Sequence, residues 1–122
     1  MVTKKIRPRI YLGGPMRGYK DFNFPAFDKA AIKLRKKGWV VFNPADKDRN
    51  KYGKKINKSE HGDLLEAEAQ GFSLREALAE DTKFICLDAD AIALLPGWER
   101  SQGACAEHAL ARALNLRIIY LG

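Results

Sequence analysis

The chain is poor in cysteine, and its two cysteines are not arranged for metal binding or for a disulfide framework. Cys86 and Cys105 are far apart in the sequence, without a CxxC pair or a Cys/His cluster around them. We therefore expect both to be reduced and to serve as small core residues.

Long apolar runs are also missing. The longest, Ala91–Trp98, is far shorter than the ~20 residues that a membrane helix needs. Ile10–Met16 lacks the length and the cleavage pattern of a signal peptide. These absences predict a soluble, cytoplasmic protein without a targeting segment. The length of 122 residues predicts a single domain spanning residues 1–122, because domains usually have about 100–200 residues.

Basic residues exceed acidic ones, 22 to 15, which gives a net charge of +7. Half of the basic residues fall between Lys29 and Lys58, where the only acids are Asp46 and Asp48. A segment this basic favours an anionic partner, either nucleic acid or a phosphorylated small molecule. A solvated lysine-rich face that keeps a small protein soluble is an equally good interpretation.

The hydrophobic pattern alternates between strands and helices. Four short runs predict strands, at Arg9–Gly13, Trp39–Phe42, Ala91–Leu95 and Ile118–Leu121. Between them lie segments with helical periodicity and helix-start signals. This order predicts an α/β fold with a mostly parallel, doubly wound (Rossmann-like or flavodoxin-like) sheet flanked by helices. No period holds from Asp46 to Gly71, where we expect a basic, mobile loop.

Two carboxylates stand where the helical pattern expects apolar side chains. Glu107 shares the inward face of the last helix with Gly103, and Asp81 lies in the apolar stripe of the helix before it. Acidic side chains are rarely buried in an apolar interior unless they are paired with a cation or have a functional role. Two acids at one cleft can act as nucleophile and proton donor. The alternatives are an ion pair of Glu107 with Arg112 or Arg17, and a salt bridge or surface position for Asp81.

Two further segments are suited to binding an anion. The turn Gly13–Gly18 is not a nucleotide fingerprint by spacing, but its glycines permit close backbone approach and Arg17 offers a planar fork for phosphate. Ser101–Gly103, at the start of the last helix, offers a hydroxyl and free N–H groups. An ordinary turn and an ordinary helix cap explain the two segments equally well. Aromatic residues near the strand ends suit either base stacking or the core: Tyr11, Tyr19, Phe22, Phe24 and Trp98.

Two sequence motifs carry a resemblance to a known family. The first is Ile10–Gly18, with the sequence IYLGGPMRG, and the second combines Asp90-Ala91-Ile92 with the spacing Ser101-x-Gly103-x-x-x-Glu107. Together they resemble the nucleoside 2-deoxyribosyltransferase-like superfamily. Its members include base-exchanging transferases, 2′-deoxynucleoside 5′-phosphate N-hydrolases and small proteins common in phage genomes. The likeness covers both ends of the chain and leaves Asp46–Gly71 unmatched.

The resemblance assigns roles to individual residues. It implies that Glu107 attacks the anomeric carbon and that Asp81 belongs to the acid pair of the hydrolases. It places Arg17 and Ser101 near a 5′-phosphate. The substrate-binding set that we predict is Tyr11, Gly13, Gly14, Arg17, Asp90, Trp98, Ser101 and Gly103. The resemblance also implies a homo-oligomer that needs neither a metal ion nor an organic cofactor.

We therefore expect an enzyme that cleaves or transfers the N-glycosidic bond of a (deoxy)nucleoside or nucleoside 5′-monophosphate, through a covalent glycosyl-glutamate. Two other classes stay open. One is a non-catalytic binder of a nucleotide or a nucleotide-derived signal. The other is a nucleic-acid-binding domain that uses the basic segment.

Overall fold

Four parallel strands form the sheet in the computed structural model, which describes residues 7–122. They are β1 (Arg9–Gly13), β2 (Val40–Phe42), β3 (Ala91–Leu94) and β4 (Arg117–Tyr120), in the order β2-β1-β3-β4. Every pairing is parallel. The predicted parallel sheet is confirmed, and three of the four strands differ from their predicted bounds by one residue at one or both ends.

Within the described residues, five α-helices flank the sheet, and two short 3-10 helices lie at Lys20–Asn23 and Trp98–Arg100. The helices are α1 (Phe24–Lys36), α2 (Pro44–Tyr52), α3 (Leu64–Glu68), α4 (Leu74–Leu87) and α5 (Gln102–Ala113). Ser73 and Ser101 cap α4 and α5 by accepting backbone hydrogen bonds from the third residue after each. No helix in residues 7–122 is long and apolar enough to cross a membrane.

Side chains of the two central strands alternate between the two faces of the sheet. Ile10 and Leu12 of β1 pack on the same side as the buried stripe of α1. Tyr11, between them, joins Ile85 of α4 and Ala111 of α5 on the other side. Helices thus cover both faces, which confirms the doubly wound arrangement and explains why β3 is buried along its whole length.

The prediction that Asp46–Gly71 is a loop without regular structure is wrong, because α2 extends into this segment and α3 lies within it. Asn43 caps α2 by accepting a hydrogen bond from the Ala45 amide at 3.1 Å. Only three residues of α2 are buried (Pro44, Ala45 and Asp48). This narrow inner face contains a carboxylate, so it does not produce the wide apolar stripe by which a helix is recognised in sequence.

The prediction that both cysteines are core residues is also wrong. Cys86, near the end of α4, is exposed, and Cys105 on α5 is half-buried. Both are free thiols.

Candidate active site

A cleft of about 110 Å³ opens at the carboxyl edge of the sheet. Its polar floor comes from β1, α2, α4 and α5, and consists of Tyr11, Asp48, Asp81 and Glu107. The rest of the lining is largely apolar, and includes Phe22, Phe24, Phe27, Ile56, Leu64 and Phe72. A flat apolar ligand with a polar edge suits such a cleft, because the aromatic wall excludes water while the floor supplies hydrogen bonds.

Glu107 lies on the floor of the cleft and is only 5% exposed, as its place on the inner face of α5 predicts. The Tyr11 hydroxyl donates a hydrogen bond to its Oε2 atom at 2.6 Å. Within residues 7–122 Glu107 forms no salt bridge, so the alternative of an ion pair with Arg112 or Arg17 is wrong. A Cβ atom at Gly13 would lie 3.2 Å from Oε1, so this glycine allows the backbone of β1 to approach the carboxyl group.

The environment of Glu107 favours its neutral form. Burial raises the pKa of its carboxyl to about 8; the Tyr11 hydrogen bond opposes this shift, and the nearby Asp81 adds to it. The pKa of the Tyr11 hydroxyl is raised well above its ordinary value by burial and by the two carboxyls. Tyr11 therefore stays a hydrogen-bond donor at any physiological pH.

Asp81 is buried on α4, and it lines the same cleft. Lys47 Nζ donates to its Oδ1 atom at 2.6 Å and to the Ala77 carbonyl at 3.3 Å. Burial raises the pKa of Asp81, and the Lys47 ammonium opposes that shift. The salt-bridge alternative is therefore confirmed, and both side chains of the bridge are largely buried, with Asp81 lining the cleft.

The sequence analysis did not identify Asp48 or Lys47 as site residues. Asp48 is 5% exposed and lines the cleft, and its Oδ1 atom has no hydrogen-bond partner within residues 7–122. Burial raises its pKa to about 6, against the attraction of Lys47. The available signal was Asn43-Pro44 as a helix start, because Asp48 then falls on the same face as Ala45 and Pro44.

A second, more polar depression adjoins this cleft. Arg17 and Ser101 line the cleft and the depression alike, so they lie between the two. The Ser101 hydroxyl accepts a hydrogen bond from the Ala104 amide at 3.2 Å at the start of α5. Arg100, which the sequence analysis did not single out, also lines the depression. Gly14 and Gly103 line the cleft together with Arg17 and Ser101.

Two predicted binding residues lie elsewhere. Asp90 precedes β3 at the amino edge of the sheet, opposite to the cleft, where its Oδ2 atom accepts a hydrogen bond from the Arg9 amide at 2.8 Å. Trp98 packs on His108, with ring centres 4.3 Å apart, and on Tyr120. Neither residue lines the cleft. Asp90 was chosen from the motif that carries the family resemblance, and Trp98 as one of the aromatic residues near the strand ends.

The described part of the chain offers no obvious metal centre. No group of three or more His, Cys, Asp or Glu residues in residues 7–122 is placed to hold a metal ion. The cleft acids are instead held by Tyr11 and Lys47. The chemistry that the arrangement permits is nucleophilic attack or proton transfer by carboxyl groups in a partly apolar cleft.

A parallel sheet covered by helices on both faces, with a carboxyl-lined cleft at the carboxyl ends of its strands, defines a Rossmann-like α/β domain. Within that class, the chain belongs to the family described as Domain of unknown function (DUF4406), whose model matches residues 8–120. A search of curated proteins found no match to the chain.

Proposed function

We propose that this protein cleaves the N-glycosidic bond of a nucleoside 5′-monophosphate or nucleoside, with Glu107 as the nucleophile. The observation that carries the proposal is the buried Glu107 carboxyl, hydrogen-bonded to Tyr11 at 2.6 Å, in a cleft that two further acids also line. The resemblance of the Gly13–Gly18 turn and the Ser101-to-Glu107 spacing to nucleoside 2-deoxyribosyltransferase-like proteins supports it.

In this reaction Glu107 attacks the anomeric carbon of the sugar. The bond from C1′ to the carboxylate forms as the bond from C1′ to the base nitrogen breaks, and the electron pair leaves with the base. Tyr11 fixes one carboxylate oxygen and leaves the other, which faces Gly13, for the attack. Water or a second base then takes the sugar from Glu107.

The depression beside the cleft suits a 5′-phosphate. Arg17 offers a planar set of N–H donors, and the first turn of α5 offers the Ser101 hydroxyl. Ser101 lies fewer than two helical turns before Glu107 on the same helix, so the two groups have a fixed separation. A phosphate held there orients the sugar of the same nucleotide toward Glu107.

The test of the proposal is release of free base from deoxynucleoside and ribonucleoside monophosphates, followed by chromatography. We expect wild-type turnover, and a loss of at least about a thousandfold in E107Q with substrate binding retained, because glutamine keeps the volume but not the anion. E68Q, at an exposed position on α3, is the matched control. Wild-type turnover in E107Q would contradict the assignment of the nucleophile.

Arg17→Ala tests the choice of substrate. Removing a charge-assisted contact to phosphate should weaken binding of monophosphates by about 1–3 kcal/mol and leave binding of nucleosides unchanged. Arg75→Ala, exposed at the start of α4, is the control. Equal losses for the two ligands would show that Arg17 contacts the sugar or supports the fold.

One observation favours a second candidate, a non-catalytic nucleotide-binding protein. With a pKa of about 8, Glu107 is mostly neutral at pH 7 in the free protein, and a neutral carboxyl can donate a hydrogen bond to a ligand. Tight nucleotide binding without any release of base, and with E107Q binding as well as wild type, would establish that role instead.

A further inference from the structure

Lys47 lies beside the cleft, close to two of the carboxyls that line it, and it contacts the two unequally. Lys47 Nζ lies 2.6 Å from Asp81 Oδ1, which is hydrogen-bond distance, and 3.6 Å from Asp48 Oδ1, which is too long for a hydrogen bond. Both aspartates are buried. The ammonium group therefore hydrogen-bonds to Asp81 and acts on Asp48 only through its charge.

The two carboxyls consequently differ in how strongly each holds a proton. A charge-assisted hydrogen bond from a lysine stabilises an ionised carboxylate, and Asp81 has one. Asp48 Oδ1 receives no hydrogen bond from any residue within 7–122, so the charge of Lys47 offsets only part of the cost of burying its own charge. A carboxyl in such surroundings holds its proton more readily than its neighbour does.

We propose that Asp48 is the proton donor to the departing base, and that Asp81 is a positioning residue that stays ionised and holds Lys47. The inference rests on the proposed N-glycosidase function and adds to it the identity of the acid. The raised pKa of Asp48, about 6, agrees with this geometry.

The steps balance in atoms and charge. As the bond from C1′ to the base nitrogen breaks, the Asp48 proton moves to the base, and the bond from C1′ to Glu107 forms. Water then attacks C1′, the bond to Glu107 breaks, and the proton of the water returns to Asp48. The net reaction consumes one water and yields free base and sugar phosphate.

The groups around the two acids determine the expected pH dependence. Asp48 faces Lys47 on its own helix and Asp81 and Glu80 on α4, whereas Glu107 faces Tyr11, Asp81 and Lys47. The reaction needs Asp48 protonated and Glu107 ionised, and these carboxyls have pKa values of about 6 and about 8. For a natural substrate, kcat/KM should therefore rise up to about pH 6, stay level to about pH 8 and fall above it.

A leaving group that needs no proton removes the requirement for Asp48. A 4-nitrophenyl glycoside of 2-deoxyribose 5-phosphate departs as a stable anion, so only ionised Glu107 is needed. With this substrate kcat/KM should rise up to about pH 8 and stay level above it. The first readout is therefore whether the decrease of kcat/KM at high pH, expected for the natural substrate, disappears with the nitrophenyl substrate. It uses the wild-type protein and requires no variant.

Asp48→Asn provides the second readout. General acid catalysis contributes about 10²–10⁴-fold, so D48N should lose at least about a hundredfold in kcat/KM on a deoxynucleoside monophosphate and less than about tenfold on the nitrophenyl substrate. D46N, two residues earlier on the outer side of α2, is the matched control and should leave both rates near wild type. E107Q should lose both activities.

The outcomes separate this inference from the function on which it rests. Equal losses of D48N on the two substrates, or no loss on either, would overturn the assignment of Asp48 and leave the N-glycosidase function standing. A decrease of kcat/KM above about pH 8 with the nitrophenyl substrate would also overturn the assignment of Asp48. This result comes from the wild-type protein, so it stands even if D48N fails to fold. A wild-type protein that hydrolyses neither substrate would overturn the N-glycosidase function itself.

Discussion

The two sides of α2 place the same residue type in opposite surroundings. On the outer side, Asp46 accepts hydrogen bonds from Arg49 at 2.6 Å and from Arg35 at 3.3 Å. Burial alone would raise the pKa of Asp46, but these arginines outweigh it and lower the value. On the inner side Asp48 accepts no such bond at Oδ1 from residues 7–122, and burial raises its pKa to about 6.

The contrast shows that hydrogen-bond donors, and not neighbouring charges in the sequence, decide the state of an acid. Asp46 and Asp48 lie in the same basic segment, but two residues along a helix turn the side chain by roughly 200°. The Asp46 carboxyl joins a network that includes Asp28 and Arg49, whereas the Asp48 carboxyl lines the cleft. The basic segment is therefore divided between a surface network and the candidate site.

Removing Lys47 should produce the largest effect on stability. K47M leaves Asp48 and Asp81 buried without their shared cation, so the free energy of unfolding at neutral pH should fall by about 3–5 kcal/mol. The deficit should shrink on acidification, because protonation neutralises both carboxyls. Urea titrations of wild type and variant at several pH values measure this.

K51M is the control for K47M, because Lys51 on the same helix pairs with Glu80 at the surface. It should change stability little at any pH. A K47M protein as stable as K51M would mean that Asp48 and Asp81 do not need the ammonium beside them, and the division of α2 into two environments would be wrong.

Asp48→Asn should stabilise the protein. The pKa of Asp48 is about 6 in the folded protein, above its ordinary value of 3.8. Protonated Asp48 therefore makes its full contribution to the free energy of unfolding below pH 3.8, and this contribution is lost as the pH rises through about 6. Asparagine cannot ionise, so at about pH 7.5 D48N should exceed wild type by about 1–3 kcal/mol, and near pH 4 the two should converge. Thermal or urea unfolding at the two pH values checks it, and destabilisation at the higher pH would refute it.

Asp46→Asn should have the smallest effect, of opposite sign. The lowered pKa of Asp46 means that its contribution is present above the ordinary value and is lost as the pH falls through the folded value. Its side chain is 43% exposed, so the loss in D46N near pH 7.5 should be about 0.5 kcal/mol. The same unfolding experiments measure the stability of D46N. If D46N were more stable than wild type, as D48N should be, the two sides of α2 would not differ in the way described above.

The fold could be predicted because its signals are local. Strand β1 is recognised by a short apolar run that ends at Gly13-Gly14, and α4 by the Ser73 cap. Glu107 and Asp81 could be found because each breaks an apolar stripe whose direction is known. These signals come from the spacing of apolar and capping residues along the chain, which can be read from a single sequence.

The missed parts depend on contacts between distant segments. Asp48 becomes a cleft residue only because α2 packs beside Asp81, which is far away in the sequence. Asp90 precedes β3, so the strand direction alone already puts it at the amino edge, away from the cleft. Trp98 follows β3 at the carboxyl edge, and only the assembled fold shows that its ring packs on His108 and Tyr120 instead of lining the cleft. Charge and adjacency along the chain do not contain this information.

Trapping the glycosyl-enzyme tests the central claim most directly. A 2-fluoro-2-deoxynucleoside 5′-monophosphate slows both steps by destabilising their oxocarbenium-like transition states, so the sugar phosphate should accumulate on Glu107. Mass spectrometry of the digested protein should show its mass added to the peptide that contains Glu107, with none on the E107Q protein. Turnover of the natural substrate without labelling of that peptide, or labelling at another residue, would contradict the assignment of Glu107 as the nucleophile.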